Sequence, residues 1–295
     1  MVIVPGPAST NLALNVAKNL GDDVLFLNLR NFPDGEWVVQ FNIENYKEKK
    51  PGEEFVLIQT TYPNQNRNLL QLLVMIDTLF DLFGDSPTVV VPYLAFSRQD
   101  KRFLPGQAIT AKTILNLIHD RGVKRLITVD VHNEDIFSLV EMNCENVTAM
   151  GEIGKYLLKI DLKNPVVVSP DEGALNHAKV VAEILECEYD FFKKKRSRTT
   201  GEINFEKRDI EVKGRDVVVL DDIISTGKTI AEAVKIVKNL GALKTYVACT
   251  HCLLVNDAFK RIIEAGAEKI FGTDTIQSEI STISVAPVIA KILKK

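Results

Sequence analysis

The sequence lacks the segments that carry a protein into or across a membrane. No stretch approaches ~18 uninterrupted apolar residues, which is about the length needed to span a bilayer. The amino terminus, MVIVPGPAS, contains no basic cluster and no long apolar run, so we expect no signal peptide. These absences predict a cytoplasmic protein with no membrane partner.

An excess of positive charge is also missing. The chain has 36 Lys and Arg residues against 39 Asp and Glu residues, and its formal net charge is -3. General nucleic-acid binding requires a basic surface, so we expect no nucleic-acid partner. Hydrophobic residues make up 46% and charged residues 25% of the chain, which is typical of a globular protein. Its length of 295 residues suggests one large or two ordinary domains.

Cysteine is scarce, and its spacing does not complete a metal site. Of the four cysteines, Cys249 and Cys252 form one Cys-x-x-Cys pair. A structural zinc site needs more ligands, and the sequence has no second pair of this kind. The pair lies on a predicted buried strand, where alternation sends the two side chains to opposite faces. We interpret both as core thiols.

One stretch, Asp216–Val234, combines a strand, two acids, a hydroxyl-rich loop and a helix. Val217–Leu220 is an apolar run typical of a buried parallel strand. Asp221 and Asp222 follow, and Ser225–Thr229 then leads into a helical pattern. Ligands of open α/β sheets bind at the carboxyl ends of strands, and a helix start of this kind suits a phosphate. The two carboxylates suit sugar hydroxyls or a metal. The alternative is a capped helix behind a solvated acidic turn.

The same stretch is not a P-loop, although Gly227-Lys228-Thr229 ends like one. A P-loop requires a glycine five residues before the Gly-Lys pair. That position is Asp222, whose carboxylate repels phosphate. The P-loop interpretation is therefore excluded.

Polar residues also follow other predicted strands of the first half of the chain. Ser97–Arg102 comes after the apolar run Thr88–Pro92 and contains three cations. Arginine and lysine at this edge of a sheet suit polyphosphate, although a charged run is usually a solvated loop. His132 ends the predicted strand Leu126–Val131, and its alternatives are a structural histidine or a ligand.

Three further segments have a structural and a functional interpretation. Phe32–Glu36 reads as a turn between strands. Asp171 follows the predicted strand Val166–Val168, where it caps a helix or holds a metal. Lys193–Glu202 is strongly basic and predicts a mobile loop. The alternatives for that loop are a solvated segment, a nucleic-acid patch or a polyphosphate site. The negative net charge of the whole chain favours a polyphosphate site.

An internal echo predicts two related α/β domains. Gly122–His132 parallels Gly241–His251, with Gly and His at the same places and a cation, Arg125 or Lys244, at the fourth position of each. Each copy follows a Val-Val-Val strand, Val89–Val91 and Val217–Val219. Duplication explains this pattern better than chance.

The motifs together resemble a known family, the ribose-phosphate pyrophosphokinases, also called PRPP synthetases. They occur in the family's order over nearly the whole chain: FPDGE, SRQDK, DVH, PDEGA, KKKR and DDIISTGKT. The last of them also resembles the phosphoribosyl-diphosphate loop of type I phosphoribosyltransferases. The length and the DDIISTG loop look most like the archaeal members.

The resemblance implies a fold and a reaction. The fold is two tandem, related type I phosphoribosyltransferase-like domains, each a mainly parallel sheet flanked by helices. We expect an N-terminal domain over 1–148, a C-terminal domain over 149–283, and a final helix, 284–295, that packs back on the first. The reaction moves the diphosphoryl group of ATP to the anomeric hydroxyl of ribose 5-phosphate, giving PRPP and AMP. The resemblance also implies that Mg²⁺ is the cofactor and that the protein is a homo-oligomer, at least a dimer.

The resemblance also assigns roles to residues. The catalytic pair is Lys194 and Arg196. Metal binding falls to His132 and Asp171. The ATP-binding residues are Phe32, Asp34, Gly35, Glu36, Arg98, Gln99, Asp100 and Lys101. Of these, Phe32, Asp34 and Glu36 reach over from a neighbouring subunit. The residues that bind ribose 5-phosphate are Asp221, Asp222, Ser225, Thr226, Gly227, Lys228 and Thr229.

One departure and two alternatives accompany this assignment. Lys228 stands where the family usually has glycine, so it either alters the wrapping of the phosphate or adds a charge contact. A type I phosphoribosyltransferase would keep the Asp221–Thr229 loop but would not need FPDGE or the Arg98 loop. A non-catalytic regulatory relative would be expected to have lost Lys194, Arg196 and His132, which are present.

Overall fold

The computed structural model divides the chain into two compact units. Unit 1 comprises Met1–Thr148, Thr275–Gln277 and Val285–Lys295, and unit 2 comprises Ala149–Asp274 and Ser278–Ser284. The residues that the structure describes are 1–46, 53–196, 203–206 and 211–295. Among them, no helix is both long enough and apolar enough to cross a membrane.

The strands and helices are numbered here along the chain. The strands are β1 Val2–Pro5, β2 Asp23–Val24, β3 Leu27–Asn31, β4 Trp37–Phe41, β5 Phe55–Ile58, β6 Thr88–Val91, β7 Arg125–Val129, β8 Asn143–Val147, β9 Val166–Ser169, β10 Glu188–Phe191, β11 Lys193–Arg196, β12 Ile203–Glu206, β13 Asp216–Ile224, β14 Lys244–Cys252, β15 Lys269–Thr273 and β16 Ser281–Ile283. The helices are α1 Thr10–Leu20, α2 Gln65–Phe83, α3 Thr110–His119, α4 Met150–Leu157, α5 Leu175–Leu185, α6 Lys228–Asn239, α7 Ala258–Glu264 and α8 Ala286–Leu293.

Unit 1 is built on a parallel sheet with the strand order β2-β1-β5-β6-β7-β8 in its described part. Strands β1, β5 and β6 are buried along their whole length, because helices cover both faces of such a sheet and only apolar runs suit it. Helix α8 packs against α1 in this unit. The Arg125 guanidinium donates to the Ile292 carbonyl oxygen at 3.0 Å, which fixes the end of α8 on β7.

The chain between β2 and β5 forms a separate hairpin from strands β3 and β4. Strands β3 and β4 pair antiparallel, with Leu27 opposite Phe41 and Asn31 opposite Trp37. The predicted turn at Phe32–Glu36 closes this hairpin. The described chain leaves the main sheet after β2 and starts β3 at Leu27.

Unit 2 repeats the topology of unit 1. Its described sheet is also parallel, with the order β10-β9-β13-β14-β15-β16. Numbered along each unit, both sheets have the order 2-1-3-4-5-6. The prediction of two related, mainly parallel domains flanked by helices is therefore confirmed.

The internal echo that suggested the duplication nevertheless aligned the wrong strands. Gly122–His132 contains β7, the fifth strand of its sheet, whereas Gly241–His251 contains β14, the fourth. A glycine turn, an apolar run and a polar end occur in most buried parallel strands. The echo therefore reflected a shared local pattern and not equivalent positions.

The basic segment is partly a β-ribbon. The sequence predicted a loop from Lys193 to Glu202, but Lys193–Arg196 forms β11 and pairs antiparallel with β12, Arg196 lying opposite Ile203. The loop prediction is wrong for this stretch, because it considered the cations without the β-favouring residues of Ile203–Glu206. The rest of the predicted loop, 197–202, lies outside the described residues.

Candidate active site

Strand β13 carries both acids of the central motif within the strand. The sequence predicted that the strand ends at Leu220, but β13 continues to Ile224 and keeps pairing with β14, Asp221 opposite Cys249 and Ile224 opposite Cys252. Strand β13 is longer than its apolar run because the neighbouring strand β14 supplies backbone hydrogen-bond partners beyond that run. Asp221 and Asp222 are half-buried as a result.

Local hydrogen bonds orient the two carboxylates. The Asp222 amide donates to Asp221 Oδ1 at 3.0 Å, and the Ile223 amide donates to Asp222 Oδ1 at 2.8 Å. Behind them, the thiol of Cys249 donates to the Asp222 carbonyl oxygen at 3.3 Å. Cys249 and Cys252 are both buried, so the interpretation as core thiols is confirmed, but they share one core cluster, so the expectation of opposite faces is wrong.

Asp221 lies in a crowded acidic environment. Burial raises its pKa well above the usual value, and the charges of Asp222 and then of Asp171 raise it further. Asp171 comes from a different loop, so two strand ends of unit 2 bring three carboxyl groups into electrostatic range. A cation or hydroxyl donors near Asp221 would relieve this repulsion.

The start of helix α6 requires a glycine. Gly227 precedes the helix with φ +69°, a left-handed conformation that side chains disfavour. A Cβ at this position would lie 3.1 Å from Ala258 Cβ and 3.1 Å from Ile262 Cδ1. Backbone conformation and packing therefore both select glycine at the point where a phosphate would meet the helix N-terminus.

The loop before α6 is held from behind through its carbonyl groups. The Ser225 carbonyl oxygen accepts from the Val255 amide at 3.0 Å. Arg261 donates to the Thr226 carbonyl oxygen and, at 3.0 Å, to that of Asn256. Ser225 and Thr226 are half-buried, and Lys228 is exposed at the first position of the helix. No sequence signal singles out Arg261, which reads as an ordinary surface cation of α7.

Asp171 has a capping role in the loop after β9. Its Oδ1 accepts from the Gly173 amide at 3.1 Å at the start of the 3₁₀ helix Glu172–Ala174, so the capping interpretation is confirmed. The Ser169 hydroxyl donates to the Asp171 carbonyl oxygen at 2.7 Å. Capping uses one carboxylate oxygen and is compatible with a second role, as the effect of Asp171 on Asp221 indicates.

In unit 1, the Arg98 loop follows β6. Arg98, Gln99 and Lys101 are exposed, and Asp100 is half-buried. The backbone of Gln99 anchors the loop to α3, because its carbonyl oxygen accepts from the Ala111 amide at 3.3 Å. The loop thus presents three exposed cations, Arg98, Lys101 and Arg102, beside one tethered carboxylate.

The neighbouring loop, after β7, contacts that carboxylate. The Asn133 side-chain amide donates to Asp100 Oδ2 at 2.8 Å. This hydrogen bond is the main cause of the lowered pKa of Asp100, and the charges of Lys101 and His132 lower it further. His132 is exposed in the same loop. The structure therefore brings the predicted Arg98 loop and the predicted histidine together.

The hairpin turn presents an exposed aromatic ring. The Phe32 amide donates to the Glu36 carbonyl oxygen at 2.8 Å, and the Glu36 amide donates to Asp34 Oδ1 at 3.0 Å. Gly35 has φ +95° in this turn. The Arg30 guanidinium lies 4.9 Å from the centroid of the Phe32 ring, which remains 38% exposed. One face of the ring is thus stacked on a cation.

The remaining predicted residues, Lys194 and Arg196, lie on β11. Lys194 is paired with Phe205 and Arg196 with Ile203 in the two-stranded ribbon. Both belong to unit 2, as do the carboxylates of β13.

The donor types in both units are compatible with Mg²⁺, although no metal-binding cluster is preformed in the part of the chain that the structure describes. Within the described residues, no group of three or more His, Cys, Asp or Glu side chains is arranged to hold a metal ion. Mg²⁺ commonly takes one or two carboxylates and completes its shell with water and substrate phosphates. In unit 2, Asp171 and Asp221 supply such carboxylates. In unit 1, His132 is a poorer ligand for Mg²⁺, but the carboxylate of Asp100 lies within electrostatic range of it.

Comparison with known proteins identifies the family. The model of the N-terminal domain of ribose phosphate pyrophosphokinase matches residues 1–122, and the phosphoribosyl transferase domain model matches residues 147–274. A ribose-phosphate pyrophosphokinase of Methanothermobacter thermautotrophicus is 38% identical over 99% of this chain and 100% of its own length. One of Sulfolobus acidocaldarius is 33% identical over 100% of both chains. The crystal structure of phosphoribosylpyrophosphate synthetase from Mycobacterium smegmatis matches with a TM-score of 0.84 and 29% identity, over 99% of this chain and 97% of the other. The chain therefore belongs to the ribose-phosphate pyrophosphokinases, a family of enzymes.

Proposed function

We propose that this protein transfers the β,γ-diphosphoryl group of ATP to the anomeric hydroxyl of ribose 5-phosphate, producing PRPP and AMP. The observation that carries the proposal is the arrangement in unit 2, where two oriented carboxylates on β13 precede a left-handed glycine and a helix N-terminus. This arrangement combines acceptors for sugar hydroxyls with a phosphate site a few residues later. A phosphorylated sugar needs both.

For ribose 5-phosphate, we assign the phosphate to Ser225–Thr229 and the hydroxyl groups to Asp221 and Asp222. The amides at the start of α6 have no acceptor within their helix and suit an anion. The hydroxyl groups of the sugar donate to carboxylates that already repel each other, which favours binding at Asp221. Arg261 supports this site indirectly, because it holds the carbonyl of the loop and not the ligand.

For ATP, we assign the exposed loop in unit 1. Arg98 and Lys101 supply charge for the phosphates, and Gln99 and Asp100 supply hydrogen bonds. We further assign the Phe32–Glu36 turn to the nucleotide of a neighbouring subunit. One face of Phe32 is exposed and available for stacking on a base, while Arg30 stacks on the ring. This assignment requires at least a dimer.

Mg²⁺ is the proposed cofactor, with His132 and Asp171 as its protein ligands. When bound, the ion supplies positive charge to the phosphates of the substrates. The chain itself positions the reactants and stabilises the charge that spreads over the oxygens of the transferred group. We assign that stabilisation to Lys194 and Arg196, the two cations of β11 that match the family motif.

The proposal differs from its alternatives in the substrates that it requires. A type I phosphoribosyltransferase consumes PRPP and needs no ATP site, and a regulatory relative catalyses neither reaction. The test incubates the protein with MgATP and ribose 5-phosphate and follows AMP and PRPP. We expect both products in equal amounts, and none when ribose 5-phosphate is omitted. Pyrophosphate release from PRPP and a purine base, without AMP formation from ATP, would instead support the transferase.

A further inference from the structure

We propose that Asn133 is a positioning residue for the nucleotide: it couples the loop after β7 to the Arg98 loop and so holds the ATP-binding residues in place. The inference deepens the proposed function and rests on its assignment of ATP to unit 1. It concerns a residue that the sequence motifs treat only as the neighbour of His132.

The two ends of the Asn133 side chain contact different loops. Its Nδ2 donates to Asp100 Oδ2 at 2.8 Å, across 33 positions of sequence. Its Oδ1 accepts from the Asp135 amide at 3.0 Å and caps the 3₁₀ helix Glu134–Leu139. The cap fixes the orientation of the amide plane, so the donor end is aimed at Asp100 before any ligand binds.

The contact matters because of where Asp100 lies. It stands between Gln99 and Lys101, both exposed, and it is the half-buried residue of the three. The backbone of Gln99 is anchored to Ala111 and Phe96. The bond from Asn133 adds a charge-assisted tether one residue further on, toward the cations. A tethered loop loses less conformational freedom when it binds a nucleotide, so the tether raises affinity without contacting the ligand.

The decisive variant is Asn133→Asp, because it separates the tether from the cap. Aspartate is as good a capping residue as asparagine, so the bond to the Asp135 amide is retained. The donor to Asp100 is lost, and two carboxylates face each other instead. We expect the KM for ATP to rise by roughly 10-fold, which corresponds to ~1.4 kcal/mol. The KM for ribose 5-phosphate and kcat should change by less than about 3-fold, since the tether acts on ATP binding alone.

One further variant makes the test specific. Asn146→Asp is the matched control: it removes a 2.9 Å bond to Glu134 Oε1 in the same region but keeps the acceptor for the Val131 amide, and it does not touch Asp100. We expect it to leave the KM for ATP within about 2-fold of the wild type.

Direct titration of each protein with MgATP, without ribose 5-phosphate, separates this inference from the proposed function. If the wild type binds MgATP but forms no AMP, the proposed reaction fails while the titration still measures the tether. Equal MgATP affinity in the wild type and Asn133→Asp would overturn the inference. So would an equal loss in Asn146→Asp, because that result would indicate a general loss of structure. A wild type that does not bind MgATP would overturn both.

Discussion

Replacing Gly227 with alanine tests the geometry of the phosphate loop most directly. The backbone at Gly227 has φ +69°, a conformation that costs roughly 1–2 kcal/mol for a residue with a Cβ. The new Cβ would also lie 3.1 Å from the Ala258 and Ile262 side chains and 3.2 Å from the Ala258 carbonyl oxygen. Overpacking of this kind costs about 1–3 kcal/mol. The sum is a loss of roughly 2–5 kcal/mol unless the loop moves.

Gly84→Ala provides the control for the backbone term. Gly84 ends α2 with φ +73°, and a Cβ there would have no atom within 4 Å. It should therefore lose only the roughly 1–2 kcal/mol of the left-handed conformation. The difference between the two variants isolates the packing of Gly227 against α7.

Urea unfolding and steady-state kinetics measure the two possible responses. If the loop holds its position, Gly227→Ala should be about 1–3 kcal/mol less stable than Gly84→Ala. If the loop moves to relieve the contact, the KM for ribose 5-phosphate should rise by at least ~10-fold, or ~1.4 kcal/mol, while the KM for ATP stays near normal. Equal stability of both variants together with normal kinetics would refute the assigned role of this glycine.

Three further predictions test other parts of the site. Lys194→Ala and Arg196→Ala should each lower turnover by at least ~100-fold if, as proposed, each side chain donates to the migrating group, and should change both substrate constants much less; near-normal turnover with a large loss of ATP affinity would make the pair an ordinary nucleotide clamp. Lys228→Gly should change the KM for ribose 5-phosphate by less than ~10-fold, since backbone amides do the anchoring, and a larger rise would make the lysine a phosphate ligand. Activity per subunit should fall when dilution produces monomers, because the proposed function assigns Phe32–Glu36 to a neighbour's nucleotide site; a fully active monomer by light scattering would contradict this.

Motifs that act through a local segment could be predicted from the sequence. The Asp221–Thr229 loop was recognisable because its strand, acids, glycine and helix follow one another along the chain. Its family assignment is confirmed by the matches to ribose-phosphate pyrophosphokinases. Its exact strand end was not predictable, because β13 is prolonged by pairing with β14, which is more than twenty residues away. The same reason explains β11: Lys193–Arg196 becomes a strand only because Ile203–Glu206 pairs with it.

The edge strands and the strand equivalences show a second limit. Strands β8 and β16 were not predicted, because their sequences are partly polar and half-exposed and lack a buried apolar run. The duplication was predicted correctly from an alignment that paired a fifth strand with a fourth. Local sequence identifies a buried parallel strand, but it does not contain the position of that strand in its sheet.

The sequence by itself determined the residue types of the site and their order, because charge and hydrogen-bonding capacity are properties of each residue. Only the tertiary structure decided which loops meet. It placed Asn133 on Asp100 at 2.8 Å, brought the charge of Asp171 into range of Asp221, and set Arg261 against the Thr226 carbonyl oxygen. These contacts join residues far apart in the chain, and their geometry follows from the strand order of each sheet. The amino-acid pattern specifies where the strands form, and the order of the strands in each sheet then decides which loops lie next to each other.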